Sequence, residues 1–159
     1  MNEAYKAFWE SYLKTRPNND QPEKYSAWSF GNTPEMKDEL ASLVLNGPKR
    51  ATTSLKWIYE KFPEEKMPVV GEFSIVLNST DDPVCIIETV SVEEKKFNEV
   101  DDAFAFTEGE GDRSLRHWKE VHWRFFSKEC ELIQRAPSED MPVICEIFKV
   151  VYPTLKSDL

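Results

Sequence analysis

Apolar and polar residues alternate with the period of a helix in the first third of the chain. Between residues 2 and 14 the apolar side chains lie three or four positions apart, which predicts an amphipathic helix. These side chains are Ala4, Tyr5, Phe8, Trp9, Tyr12 and Leu13. A polar loop over 15–24 follows, and Thr33-Pro34 then supplies a helix cap with proline at the first helical position. That second helix is expected to end at Asn46-Gly47.

After Pro63 the pattern becomes rich in β-branched residues. Residues 69–77 and 84–92 predict two strands, and the turn-forming residues 78–83 between them predict a hairpin. Residues 142–152, rich in Val, Ile and Phe, predict a last strand.

Three further helices are predicted among these strands. Ser54 is expected to cap a short helix ended by Pro63, residues 99–106 form a second, and residues 113–128 form a longer one. Leu115, Trp118, His122 and Phe125 are expected on one face of the long helix. Because no β-α-β rhythm is present, the pattern predicts an α+β fold, a mostly antiparallel sheet or barrel with helices packed on it.

The length of 159 residues favours one domain over residues 1–159, with the helix at 2–14 as an N-terminal extension. The net charge of −9 argues against non-specific coating of nucleic acid, and duplex DNA is not an expected partner. A local positive patch at Lys49, Arg50 and Lys56 leaves room for a small basic pocket, although a solvated loop would have the same charges. The oligomeric state stays open.

The three cysteines are Cys85, Cys130 and Cys145. Their odd number and the lack of a C-x-x-C pair indicate no disulfide framework, which favours a reducing compartment. The N-terminus lacks the pattern of a signal peptide, and no apolar run has the length of a membrane span. We therefore expect a cytoplasmic protein with no membrane partner.

Two segments, 47–54 and 108–115, combine polar side chains with glycines and hold three of the five glycines in the chain. Lys49 precedes Thr52 by three positions, and a lysine in a desolvated pocket can accept a proton from a hydroxyl nucleophile. The alternative from spacing alone is a solvated Lys49 and a Thr52 that merely starts the next element.

Metal and cofactor chemistry find little support in the sequence. His117 and His122 lie five positions apart, which is not the i, i+4 spacing of a helical metal pair, and no Cys/His cluster is present. Carboxylates in the 108–115 segment leave Mg²⁺ as an alternative, but the segment is too short for an EF-hand loop. No phosphate-binding glycine motif follows a strand. We expect no metal and no cofactor.

Taken together, several motifs resemble the ASCH-domain family. They are Trp28-x-Phe30-Gly31, Leu43-Val44-x-x-Gly47-x-Lys49-x-Ala51-Thr52-x-Ser54, Pro68-Val69-Val70-Gly71, Phe97-Asn98-Glu99-Val100 and Glu108-Gly109-Glu110-Gly111-Asp112-Arg113-Ser114-Leu115-x-x-Trp118. The resemblance covers most of the chain and implies a β-barrel related to the PUA domain of RNA-modifying enzymes.

A smaller member of this family is an amidohydrolase that removes the acetyl group from 4-acetylcytidine with a lysine, a threonine and a glutamate. Carried over by motif, the resemblance implies Lys49 as the base, Thr52 as the nucleophile and Glu108 as the carboxylate, with Glu110 as an alternative to Glu108. The two polar segments would then form opposite walls of one pocket.

The resemblance also implies residues that would contact a nucleoside, with aromatic rings stacking on the base. The candidates are Phe30, Gly31, Ser54, Trp57, Glu110, Arg113 and Trp118. The expected partner is a small nucleoside, and the alternative function is a single-stranded RNA-binding module or a ribonuclease that uses the same pocket.

Overall fold

A computed structural model describes residues 2–154 of the chain. Its helices are α1 (Glu3–Leu13), α2 (Pro34–Asn46), α3 (Lys56–Lys61), α4 (Asp102–Glu108) and α5 (Leu115–Leu132), with a 3₁₀ turn at Phe97–Glu99. Its strands are β1 (Ser26–Trp28), β2 (Ala51–Leu55), β3 (Phe73–Leu77), β4 (Pro83–Lys96) and β5 (Pro142–Tyr152).

Within the described residues the five strands form one mixed sheet in the order β1-β3-β4-β5-β2. Strand β1 runs parallel to β3, whereas the β3–β4 and β2–β5 pairs are antiparallel. The α+β fold with a mostly antiparallel sheet is therefore confirmed. None of the helices in this part of the chain is long and apolar enough to cross a membrane.

The chain divides into two compact units. The first contains Gly71–Thr89 together with residues 2–47 and 148–154. Trp9 and Tyr12 of α1 pack there against Phe73 and Ile75 of β3. The predicted cap of α2 is confirmed, because the Thr33 side chain accepts a hydrogen bond from the Met36 backbone N–H, with proline next in the chain.

The second unit contains Pro48–Val70 and Val90–Ile147. Strands β2 and β5 pair from Ala51 opposite Ile147 to Leu55 opposite Val143. Alternate residues of β2 are buried, four successive residues of β5 from Val143 to Glu146 are buried, and apolar side chains of both strands join those of α5 in one cluster. This cluster includes Ala51, Leu55, Val143, Cys145, Phe126 and Cys130.

The structure corrects three local predictions in the second unit. Ser54 lies in strand β2 and accepts a hydrogen bond from the Tyr59 hydroxyl at 2.8 Å, so it is not a helix cap. Helix α3 begins after Leu55 without a side-chain cap. On α5 the buried phenylalanine is Phe126 and not Phe125, because Phe126 continues the i, i+4 row of Trp118 and His122.

Candidate functional site

The two polar segments pack directly against each other in the second unit, and Gly109 permits the contact. Gly109 ends α4 in the left-handed conformation with a φ of 72°. A Cβ atom at this position would lie 2.7–2.8 Å from the backbone of Pro48 and Lys49. The backbone N–H of Arg50 also donates to the carbonyl oxygen of Thr107 at 2.9 Å. The glycine is therefore required both by its φ angle and by the close approach of the backbone.

The side chain of Lys49 is buried inside this contact and only 1% exposed. Its Nζ donates to the carbonyl oxygen of Ala51 at 2.8 Å and to Oε2 of Glu110 at 2.8 Å. Oε1 of Glu108 lies 3.8 Å from the same atom. A buried amine between two carboxylates is costly to desolvate, so this geometry has to be held by the surrounding fold.

Glu108 is buried beside Lys49 and is surrounded by donors. Its Oε2 accepts hydrogen bonds from the Thr53 hydroxyl at 2.8 Å and from the indole N–H of Trp118. Its Oε1 lies 2.8 Å from Nε2 of His122. Because both oxygens are occupied by donors, the carboxylate is fixed in its ionised form.

Glu108 and His122 each stabilise the charged form of the other. Burial alone would raise the pKa of Glu108, but the charge and hydrogen bond of His122, assisted by Lys49, hold that pKa well below its usual value. Burial alone would lower the pKa of His122, but Glu108 outweighs burial and raises it. His122 Nδ1 also lies 2.8 Å from the carbonyl oxygen of Trp118. Both ring nitrogens thus face acceptors, as in a protonated imidazolium.

These opposite shifts predict how the stability of the fold depends on pH. The stabilisation from His122 is fully present below about pH 6.5, its unfolded pKa, and is lost as the pH rises through the raised folded pKa. The stabilisation from Glu108 is lost only as the pH falls below its unfolded pKa and through the lowered folded one. Urea unfolding should therefore show a free energy of unfolding that declines above neutral pH, and this decline should be reduced in His122→Gln.

Ionisation of Glu129 also lowers the free energy of unfolding as the pH rises, so the measurement needs a control for this residue. Burial, together with nearby Glu65, raises the pKa of Glu129 to about 7. The His122 comparison is therefore made in a Glu129→Gln background, where the remaining decline with pH reports on His122. An unchanged slope after loss of the imidazole would contradict the assignment of a protonated His122.

A cavity of about 10 Å³ lies against this cluster, lined by Glu108, Glu110, His117, Trp118 and His122 among others. That volume is near the lower limit for a single water molecule. Its lining comes from α4, the 108–115 segment and α5, without a residue of the 47–54 segment, and its size is that of a water and not of a nucleoside.

The acidic residues of the 108–115 segment have separate partners. Glu108 and Glu110 contact Lys49, whereas Asp112 accepts hydrogen bonds from the backbone N–H and the hydroxyl of Ser114. In the part of the chain that the structure describes, no group of three or more His, Cys, Asp or Glu side chains is arranged to hold a metal ion.

Thr52 and Thr53 project to opposite faces of strand β2. Thr53 is buried on the face that contacts Glu108, whereas Thr52 is half-buried and lies opposite Glu146 in the pairing with β5. Lys49 Nζ contacts the carbonyl oxygen of Ala51, the residue just before Thr52. The threonine bonded to Glu108 is thus the one that the sequence does not single out.

The other candidate contact residues of this unit have intramolecular partners. Trp118 is buried, with His122 stacked on its ring at 4.3 Å and Phe97 packed at 5.2 Å. The guanidinium of Arg135 lies 3.6 Å from the ring centroid of Trp57. The resemblance implies that a base stacks on Trp118, but His122 and Phe97 already cover its ring.

Arg113 is likewise engaged by its own chain. Its Nε donates to the carbonyl oxygen of Phe106 at 3.0 Å, and its guanidinium lies 3.4 Å from the Phe106 ring centroid. The salt bridge that its acidic neighbours would suggest is replaced by this backbone and ring contact.

Phe30 and Gly31 belong to the first unit. Phe30 is buried in the apolar cluster with Val76 and Phe148, edge-on to Trp28 at 4.6 Å. Gly31 has a φ of 80°, and a Cβ there would lie 2.8 Å from Cβ of Met36. Both residues thus have structural reasons for their identity within their own unit.

The three cations of the expected positive patch are engaged by groups of the chain itself. Lys49 is paired with carboxylates, Arg50 donates to the carbonyl oxygen of Lys49 at 2.7 Å, and Lys56 lies 2.9 Å from Glu94. These three cations therefore do not form an open basic surface.

Sequence reasoning missed His122 and Thr53. The spacing of the two histidines excludes a helical metal pair, and the partner of His122 is instead a carboxylate on another helix. One signal was available, because Trp118 and His122 lie four positions apart on the same helix face. A polar residue on that otherwise apolar face indicates a buried polar partner.

Comparison with known proteins shows the family to which the chain belongs. The family model of the ASCH domain matches residues 26–152, so helix α1 precedes the matched region. An ASCH domain from Lactobacillus crispatus JV V101 is 40% identical with a TM-score of 0.89, covering 96% of each chain. A protein from Enterococcus faecalis V583 is 35% identical with a TM-score of 0.80, covering 94% of this chain and 89% of the other. No curated protein matches the sequence. The chain belongs to the ASCH domain family.

Proposed function

We propose that this ASCH domain protein hydrolyses the amide of an acylated cytidine-like nucleoside, with Lys49 as the group that moves protons. The observation that carries the proposal is the buried Nζ of Lys49, held between the carbonyl oxygen of Ala51 and the carboxylate of Glu110. Strongly constrained buried ionisable groups are concentrated at catalytic sites, because proton transfer needs a positioned and desolvated group.

Glu108 and Glu110 take different parts in this proposal. The lowered pKa of Glu108 makes it a poor proton donor, so it acts as the fixed anion that positions Lys49 and His122. Glu110 keeps a quarter of its side chain exposed and covers Lys49 Nζ from the solvent side. A substrate that displaces Glu110 would therefore reach Lys49 directly.

The proposed reaction is acyl transfer to water through a covalent intermediate. In the first step Lys49 passes a proton to the displaced Glu110 carboxylate, and the Thr52 hydroxyl oxygen then forms a bond to the acyl carbon while its own proton moves to Lys49. The C–N bond then breaks as Lys49 returns that proton to the departing exocyclic amine. Water next cleaves the ester on Thr52, which releases the carboxylic acid and restores the hydroxyl.

The matched pair Thr52 and Thr53 tests this assignment. We expect the wild-type protein to release cytidine from 4-acetylcytidine, and Thr52→Ala to lower kcat by about a thousandfold or more with little change in the unfolding temperature. Thr52→Ser keeps a hydroxyl and should retain part of the activity. Thr53→Ala should instead lower stability, because it removes a donor from the buried Glu108 carboxylate.

The assay is product release followed by chromatography, with thermal unfolding of each variant alongside. If wild-type protein hydrolyses no acylated nucleoside, the function is wrong. If hydrolysis persists in Thr52→Ala, the nucleophile is water or another group, and the proposal survives only without the covalent step.

Single-stranded RNA binding at the same site has less support. The net charge is −9, and the cations of the 47–56 region are paired with groups of the chain itself. Fluorescence anisotropy with a labelled single-stranded RNA at low and high salt measures this alternative. Salt-dependent affinity lost in an Arg50→Ala variant would favour RNA over a small nucleoside.

A further inference from the structure

The outer face of helix α5 carries a groove that the proposed reaction does not use. The groove has a volume of about 720 Å³, and Phe97 and Glu139 form the wall opposite the helix. A row of side chains four positions apart runs along its floor: Lys119, Trp123, Ser127 and Glu131. Such an i, i+4 row is the ridge by which one helix packs into the groove of another.

The centre of this row carries a large, partly exposed apolar side chain, that of Trp123. Trp123 is 36% exposed, a large fraction for an indole, and lies edge-on to Phe97 at 5.5 Å. The next position of the row, Ser127, has a small side chain that lines the same groove. The Ser127 hydroxyl is buried without a hydrogen-bond partner among the described residues. A partly exposed tryptophan beside a small residue in a groove is typical of the centre of an interface.

The two ends of the row carry opposite charges. Lys119 and Glu131 are twelve residues apart on one helix, about 18 Å at 1.5 Å per residue, so they cannot pair within one copy. Two copies of α5 in antiparallel contact, with the two-fold axis between Trp123 and Ser127, bring Lys119 of each beside Glu131 of the other. The same operation places each Trp123 against Ser127 of the other copy. The row is therefore complementary to itself.

The charge of the whole chain favours this face over others. Each copy has a net charge of −9, so two copies repel unless their contact surface is locally balanced. The charged residues lining the groove are three cations and three carboxylates: Lys119, Arg124, Lys128, Glu120, Glu131 and Glu139. The groove is thus a neutral surface on an acidic protein.

From this self-complementarity we propose that the α5 groove is a homodimer interface, in which a second copy of the chain packs antiparallel about a two-fold axis. The interface is isologous, so each residue of the row is used twice. The proposal does not depend on the hydrolase activity.

Sedimentation velocity over a concentration series tests it with two charge reversals. Lys119→Glu faces Glu131 with a like charge at both ends of the dimer, and Glu131→Lys does the same with Lys119. Each variant alone is expected to raise the dimer dissociation constant by about tenfold. An equimolar mixture of the two variants restores both pairs and is expected to associate as a heterodimer with near wild-type affinity.

Further variants separate this arrangement from other causes. Trp123→Ala should weaken the dimer by about tenfold or more. Lys6→Glu, an exposed reversal on α1 with the same charge change, should leave association unchanged. A wild-type protein that stays monomeric at millimolar concentration overturns the proposal. So does a dimer that tolerates both reversals and Trp123→Ala, or a mixture that associates no better than each variant alone.

Discussion

Replacing Glu108 by glutamine is expected to lower the free energy of unfolding by about 3–5 kcal/mol, the cost of breaking a buried ion pair from one side. The carboxylate is the shared acceptor for Thr53, Trp118 and His122. Glutamine keeps the shape but offers an NH₂ group where one of these donors points. It also leaves the positive charges of Lys49 and His122 without their shared anion.

Glu110→Gln is the matched control for that prediction. Glu110 also contacts Lys49 but keeps 25% of its side chain exposed. Water can therefore replace part of the interaction that the variant loses with Lys49. Its expected cost is roughly 1–2 kcal/mol. Urea unfolding of both variants at pH 6 measures the difference. Equal losses for the two glutamates would show that Glu108 is not the centre of the network.

The elements that the sequence predicts well are those with local signals. Helix α2 has Thr33-Pro34 at its start and glycine after its end, and strand β5 is rich in Val, Ile and Phe. Both follow from neighbours in the chain. Their bounds could therefore be stated without knowing what they pack against.

Strand β2 shows the opposite case. Ala51-Thr52-Thr53-Ser54 has the composition of a loop or a helix start, and its extended conformation comes from pairing with β5, about ninety residues later. Strand β1, three residues long and parallel to β3, likewise has too little local signal. Both strands depend on partner strands that lie far from them along the sequence.

The site likewise contains residues that the sequence predicts and residues that it does not predict. The resemblance placed Lys49 and Glu108 in one site, and the structure brings them within 3.8 Å. The bonds of Thr53 and His122 to Glu108 depend on which faces of β2 and α5 turn toward α4, which is a property of the packed unit. The sequence indicates which single residues can carry the chemistry. It does not indicate which of them form hydrogen bonds with one another.

Lys49→Met is expected to abolish hydrolysis of 4-acetylcytidine, with kcat reduced about a thousandfold or more. Methionine has nearly the same length and is apolar, so it fills the buried space without a group that accepts or returns a proton. The anion of Glu108 keeps its partner His122, and Glu110, a quarter of whose side chain is exposed, can turn toward solvent. The variant should therefore fold, and thermal unfolding verifies this before kinetics are measured.

Lys56→Met supplies the matched control. Lys56 belongs to the same unit and is paired with Glu94, but it is a third exposed and has no part in the proposed reaction. It should retain wild-type kcat and KM. If the folded Lys49→Met protein still hydrolyses the substrate while Lys56→Met behaves as wild type, Lys49 is only a structural cation. In that case the buried network exists to join α4 to the 48–50 segment, and proton transfer must be assigned to groups outside it.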